Sequence, residues 1–321
     1  MKTKSQDSIH DCKVDSTKRR EFLKTSAKIG ATMAMANFGI GTLLADNDTK
    51  AQNVRVGKIP HLTLNNGVKM PLLGLGTYQL LGKECQRAVT DALEVGYRLI
   101  DTAQYYNNES NVGAAIKESS IDRKELFVVT KLRSGKNVAS SIEESLERLQ
   151  SDYIDLLLIH WVMGNDLEIY KIMEEYYKKG KLKAIGLSNF YDANYFNIIN
   201  NCEIKPQAIQ QEMHVLYQNK QRRLQYQKDE IALMAWSPFG AGRENIFKNP
   251  VLLKIGEKYG KTAAQVILRF LVQNNIVAIP KTSKKERMQE NINIFDFSLD
   301  TQDLDTIATL DRGKSLFGWY S

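Results

Sequence analysis

Four side chains able to handle a proton sit at or just beyond the ends of apolar runs. Leu99-Ile100 leads into Asp101, with Tyr105 and Tyr106 a few residues further on; Val128-Val129-Thr130 leads into Lys131; Leu156-Leu157-Leu158-Ile159 leads into His160-Trp161. Brought together, a carboxylate, a phenol, an ammonium and an imidazole form a proton-delivery device. A free phenol titrates near about 10, too high to give and take a proton efficiently at neutral pH. A lysine cation beside it favours the phenolate and lowers that value, while an aspartate keeps the lysine charged and in place. The expectation is a Tyr106 made more acidic by Lys131, with Asp101 behind the lysine. Taken singly these residues are ordinary, because a lone Lys or His at a strand end is usually a solvated or hydrogen-bonded rim residue. Only spacing separates Tyr106 from Tyr105.

The joint reading needs a scaffold that places these ends on one rim. Short β-branched or Leu-rich runs alternate with helical stretches, the pattern of parallel βαβ units. The strand candidates are Leu72–Leu75, Tyr97–Thr102, Leu126–Lys131, Ile154–His160, Ala184–Ser188, Ala208–Met213, Ala232–Ser237 and Val277–Lys281. Helical spacing covers 83–95, 109–119, 138–149, 167–179, 192–200, a short piece near 222–228, 250–273 as two helices, and 284–292. Eight such strands predict an α/β fold, a closed (β/α)8 TIM barrel whose chemistry lies at the C-terminal ends of the strands. An Asn-Gly turn inside residues 61–70 predicts an N-terminal β-hairpin, and residues 301–310 predict an extra C-terminal helix.

Composition excludes other classes. Of the formal charge of +7, residues 1–45 carry eight Lys/Arg against four Asp/Glu, leaving +3 for the rest of the chain. No basic stripe is interleaved with aromatics, so nucleic acid is not an expected partner. Cys12, Cys85 and Cys202 form no CxxC pair and the four histidines have no ligand spacing, so no metal is expected. No GxGxxG loop follows a strand, which argues against a Rossmann site. A barrel hydrolase would need metal ligands or paired carboxylates that are not seen.

Gly96 through Glu109 closely matches the Gly-Tyr-Arg-x-Ile-Asp-Thr/Ser-Ala-x-x-Tyr-x-Asn-Glu stretch of the aldo-keto reductases. The chain resembles that family from about residue 60 onward. The resemblance implies Tyr106 as general acid, Lys131 and Asp101 tuning it, and His160 orienting a carbonyl oxygen. It also implies NADPH (NADP+) as cofactor. Ser188, Asn189 and Gln210 would hold the nicotinamide carboxamide, Trp236 would stack on the ring, and Ser237 and Pro238 would lie at the pyrophosphate. Thr77 and Tyr78, with Asp101, complete the nicotinamide end. Lys281, Thr282, Ser283, Arg287, Glu290 and Asn291 would grip the adenosine end, Lys281 and Arg287 clamping a 2′-phosphate by charge-assisted hydrogen bonds. Tyr78, Tyr106, His160 and Trp161, with Trp319, would wall a pocket for small aldehydes, ketones or ketosugars. Val162 stands where the family commonly has Pro, and the segment after Leu316 is short, so the pocket is expected to be open.

Residues 1–50 read as a leader and linker, and 51–321 as the barrel. Arg19-Arg20-Glu21-Phe22-Leu23-Lys24, followed by a weakly apolar Gly- and Ala-rich run to Ala45, resembles a twin-arginine signal. Residues 17–24 would engage that export machinery, giving a periplasmic protein with no stable membrane span, favoured as a monomer. The alternative is a cytoplasmic protein with a chance arginine pair. A second functional reading keeps the barrel as a slow-turnover NADPH-binding sensor or partner subunit.

Overall fold

The computed structural model describes residues 59–318. The leader and Trp319 therefore lie outside the described residues. Strands β1 (His61–Thr63) and β2 (Lys69–Pro71) form an antiparallel hairpin. Eight further strands follow: β3 (Leu75–Gly76), β4 (Leu99–Asp101), β5 (Phe127–Leu132), β6 (Leu156–Ile159), β7 (Ile185–Ser188), β8 (Ala208–Glu212), β9 (Ala232–Trp236) and β10 (Ile276–Ala278). They pair in parallel in that order. The ring closes where Leu73 bridges Ala278 and Gly76 bridges Lys281. Backbone N–H groups of Gly74 and Gly76 donate across this seam to the carbonyls of Ala278 and Pro280. The expected (β/α)8 barrel, hairpin and extra helix are all present.

Local chemistry accounts for the elements. Strand β6 is buried along its whole length, Leu-Leu-Leu-Ile, as a strand sealed on both faces must be. Helix α1 (Gly82–Val95) turns Cys85, Ala88, Val89, Ala92 and Leu93 inward at helical spacing. Gly96, with φ of 115°, ends it and starts the run into Asp101. In the expected 250–273 stretch, Gly260 in the left-handed region separates the helix Pro250–Tyr259 from Ala263–Gln273. Asn249 caps the first of these, and a Thr262–Gln265 capping box starts the second. The expected short piece near 222–228 is a helix over Lys220–Lys228. The extra helix, Thr301–Ala308, begins at an Asp300–Asp303 capping box.

Strand register then brings the site together. Gly76 pairs with Asp101, Asp101 with Val129, Lys131 with Leu158, and Ser188 with Gln210. Gly186 is required for this packing, since a Cβ there would lie 2.2 Å from the carbonyl oxygen of Ala208. Two cavities of about 930 and 900 Å³ lie at the opposite, hairpin end of the barrel, and none of the four proton-handling residues lines them.

Candidate active site

Lys131 is fully buried at the end of β5. Its Nζ donates to Oδ1 of Asp101 at 2.6 Å, to the carbonyl of Thr102 at 2.8 Å and to the Tyr106 hydroxyl at 3.4 Å. A buried ammonium is tolerable only when paired and hydrogen-bonded in this way. The Tyr106 ring sits on a short turn, Gln104–Tyr106, that leaves β4. It packs edge-on to the His160 ring at 5.7 Å and against Tyr78 at 5.1 Å. Trp161 stacks on His160 at 5.8 Å. The four expected proton-handling residues therefore converge, with Tyr78 and Trp161 flanking them.

The electrostatics correct one expectation. Burial pushes the Tyr106 phenol well above its ordinary value, and the Asp101 carboxylate and Tyr78 push in the same direction. Lys131, 3.4 Å away, is itself paired with Asp101 at 2.6 Å, and the net direction is upward rather than the expected downward one. Burial also lowers Lys131, outweighing the upward pull of Asp101. His160 is pushed down to about 3 by burial and by the Lys131 charge, so its imidazole is neutral. A protonated phenol beside a neutral imidazole is the state from which a proton is given to an oxygen, not taken from one.

The turn bearing Tyr106 is pinned by Asn108 and Glu109, residues that carry no expected role. Asn108, buried, donates from Nδ2 to the carbonyls of Thr77 and Leu80, both at 2.9 Å, and accepts from Thr102 Oγ1 at 2.6 Å. Glu109 accepts from Thr130 Oγ1 at 2.6 Å and pairs with Arg148 at 2.7 Å. Their signal is the Asn-Glu pair that ends the Gly96–Glu109 stretch.

The expected dinucleotide residues occupy one adjoining wall. Gln210 donates from Nε2 to Oδ2 of Asp101 at 2.7 Å, and its Oε1 takes no hydrogen bond among the described residues. Asn189 donates to Ser188 Oγ at 3.0 Å and to the His160 carbonyl at 3.2 Å, and accepts from Trp236 Nε1 at 2.9 Å. Asn189 and Ser237, which directly follow β7 and β9, hold left-handed φ values of 60° and 51°, strain of the kind stored at binding sites. Pro238 is buried behind them. Thr77 is buried and spends its hydroxyl on the Asp101 carbonyl at 2.9 Å.

At the far end, Lys281 and Arg287 are exposed, and among the described residues neither has a carboxylate partner. Thr282 and Asn291 are buried and Ser283 is half-buried. Glu290 accepts from Thr262 Oγ1 at 2.6 Å, so its side chain is engaged by the neighbouring helix.

A sequence profile described as the Aldo/keto reductase family matches residues 72–312. The chain belongs to the aldo/keto reductase family. The reductase is 43% identical over 258 residues to the glyoxal reductase of Bacillus subtilis (strain 168), covering 78% of this chain and 92% of that protein. It is 40% identical over 260 residues to the methylglyoxal reductase DkgA of Escherichia coli (strain K12), covering 79% and 94%. An aldo-keto reductase from a Medee basin deep-sea metagenome library superposes with a TM-score of 0.77 at 40% identity, covering 79% of this chain and 96% of that one. Another, crystallised with NADPH, superposes at 0.76 and 35% identity, covering 81% and 90%. The reductase is an oxidoreductase that reduces carbonyl groups with NADPH. The residues present fit that cofactor: polar side chains Ser188, Asn189 and Gln210 beside the Tyr106 phenol, an indole at the barrel rim, and two exposed cations with no carboxylate partner among the described residues.

Proposed function

We propose that the reductase acts on small aldehydes and ketones, dicarbonyls foremost, with Tyr106 as the proton donor. The observation that carries this reading is the Tyr106 hydroxyl 3.4 Å from a Lys131 ammonium that is itself clamped by Asp101 at 2.6 Å. The relatives named as glyoxal and methylglyoxal reductases support the dicarbonyl class. So does the open mouth, where Tyr78, Leu81, Tyr105 and Val162 are all exposed: a short, polar substrate needs orientation more than enclosure.

Bound NADPH supplies the hydride. The chain does the rest. His160, neutral, and Tyr106 orient the carbonyl oxygen, and the phenol gives its proton to that oxygen as negative charge develops there. The Lys131 ammonium then faces the phenolate left behind, while Asp101 holds the lysine in place. Ser188, Asn189 and Gln210 would hold the carboxamide, Trp236 would cover the ring, and Lys281 with Arg287 would hold the 2′-phosphate. An intact set of proton-handling residues favours turnover over the sensor reading. Following NADPH absorbance with purified protein against a panel of dicarbonyls, aldehydes, ketones and ketosugars tests the proposal. Reduction of glyoxal and methylglyoxal is expected, and no turnover anywhere in the panel rejects it.

We also propose that residues 17–24 direct the chain to twin-arginine export, so that residues 51–321 work in the periplasm. Arg19-Arg20 with its Phe-Leu-Lys continuation supports this. A chain exported folded can carry a dinucleotide with it, although resupply outside the cytoplasm needs a separate source of reducing power. Fractionation of cells making the Arg19→Lys, Arg20→Lys double variant tests it, and an unchanged location rejects the export reading.

A further inference from the structure

We propose that Glu212 is a positioning residue for the dinucleotide site, acting as a buried socket that seats residues 315–317 and thereby sets Phe317 against Trp236. The inference rests on the reading of Trp236 as the cover of the nicotinamide ring.

Glu212 ends β8 and is fully buried. Its register partner on β9 is Trp236. A carboxylate in that position must be satisfied by donors, and three converge on it. Ser315 Oγ donates to Oε2 at 2.6 Å, the Leu316 backbone N–H donates to Oε1 at 2.9 Å, and His214 Nε2, on a ring that is also fully buried, lies 3.1 Å from Oε1. Two of the three come from a segment more than 100 positions away in sequence. The carboxylate is therefore fully satisfied only when that segment is seated.

Seating has two consequences at the cleft. Ser315 Oγ accepts from the N–H groups of Phe317 and Gly318 at 3.0 and 3.1 Å, curling the chain so that the Phe317 ring meets Trp236 edge-on at 5.1 Å. Trp236 in turn donates to Asn189 at 2.9 Å. Seating also presents the Leu316 carbonyl and the Phe317 ring to Arg243, which hydrogen-bonds the first and lies 4.4 Å over the second. Arg243 belongs to the stretch Gly240–Lys248, whose neighbour Glu244 pairs with Arg312 at 2.7 Å. The Glu212 socket, the 315–317 segment and the 240–248 stretch therefore close on Trp236 as one unit. Loss of any one contact would loosen the ring cover without touching Tyr106, Lys131 or His160.

The test uses the full chain and NADPH. Tryptophan quenching gives the NADPH Kd, stopped flow gives its release rate, and single turnover at saturating NADPH gives the chemical step. Ser315→Ala and Phe317→Ala are each expected to weaken NADPH about 3–12-fold, the size of losing one typical hydrogen bond or one aromatic contact. The loss should appear mainly as faster release, with single turnover within about threefold of wild type. Phe317→Tyr should restore wild-type values, and the Ser315→Ala, Phe317→Ala double variant should be no worse than the worse single, because both break the same latch. Glu212→Gln should follow Ser315→Ala where it folds. NADPH affinity and release within twofold of wild type in both alanine variants overturn the proposal, as does a fall in Tm with affinity unchanged. Wild-type protein that does not bind NADPH overturns the dinucleotide reading itself, an outcome distinct from failure of the latch alone.

Discussion

Gln210 donates to Oδ2 of Asp101 at 2.7 Å across 109 positions of sequence, while the other oxygen of the same carboxylate holds Lys131 at 2.6 Å. The Asp101 carboxylate thus ties the proton-handling cluster to the wall proposed to hold the carboxamide, and its removal should damage both. Asp101→Asn keeps the shape but leaves Lys131, fully buried, without a counter-charge. Breaking one partner of a buried pair typically costs about 3–5 kcal/mol. Urea unfolding is expected to show a loss on that scale, and NADPH titration a weaker affinity. Wild-type affinity in the variant would separate the two halves of the site.

Tyr106 is held protonated by burial and by the neighbouring carboxylate. Carbonyl reduction, which consumes the phenolic proton, should therefore stay flat from about pH 6 to about pH 9. Alcohol oxidation needs the phenolate to accept a proton, so its rate should climb across the same window. Single-turnover profiles in both directions check this, and a steep alkaline loss of reduction within the window would contradict it. Tyr106→Phe should lose about two to four orders of magnitude in reduction while binding NADPH normally.

His160 carries a folded-state pKa near 3, against 6.5 when free. The unfolded chain therefore binds more protons between those values, and stability must fall as pH drops below 6.5. At pH 4.5 the shortfall from this one group is about 2–3 kcal/mol relative to neutral pH. Urea midpoints at pH 7 and 4.5, compared between wild type and His160→Gln, measure it. The variant should lack that part of the acid sensitivity.

Lys281 and Arg287 are exposed and have no carboxylate partner among the described residues, so both cations are available to a phosphate dianion. Arg287→Ala is expected to weaken NADPH by about 1–3 kcal/mol, the worth of a charged hydrogen bond, and to leave NADH almost unchanged. Equal losses for the two dinucleotides in fluorescence titration would place the arginine elsewhere in the site.

The architecture was legible because most strands of the ring are short apolar runs, and at β4, β5 and β6 a residue of different chemical type stands at or next to the end of the run. Asp101, Lys131 and His160 announce themselves in that way, and the Gly96–Glu109 stretch adds Tyr106. The direction of the phenol's shift was not legible, since it depends on the burial around the half-buried Tyr106 and on where the Asp101 charge falls. Nor was the Glu212 socket. Glu212 looks like an ordinary strand-end residue, His214 and Ser315 like ordinary loop residues, and only folding places Ser315 Oγ 2.6 Å from the carboxylate. Contacts made across a hundred residues leave no periodic trace in sequence.

The seam at Leu73–Ala278 and Gly76–Lys281 bears on how the enzyme is made. Until β10 emerges from the ribosome, β3 and β9 each present an open row of backbone donors and acceptors, an invitation to pair with the wrong neighbour. The ring cannot close before Ile276–Ala278 is made, so a chain interrupted earlier keeps both edges exposed.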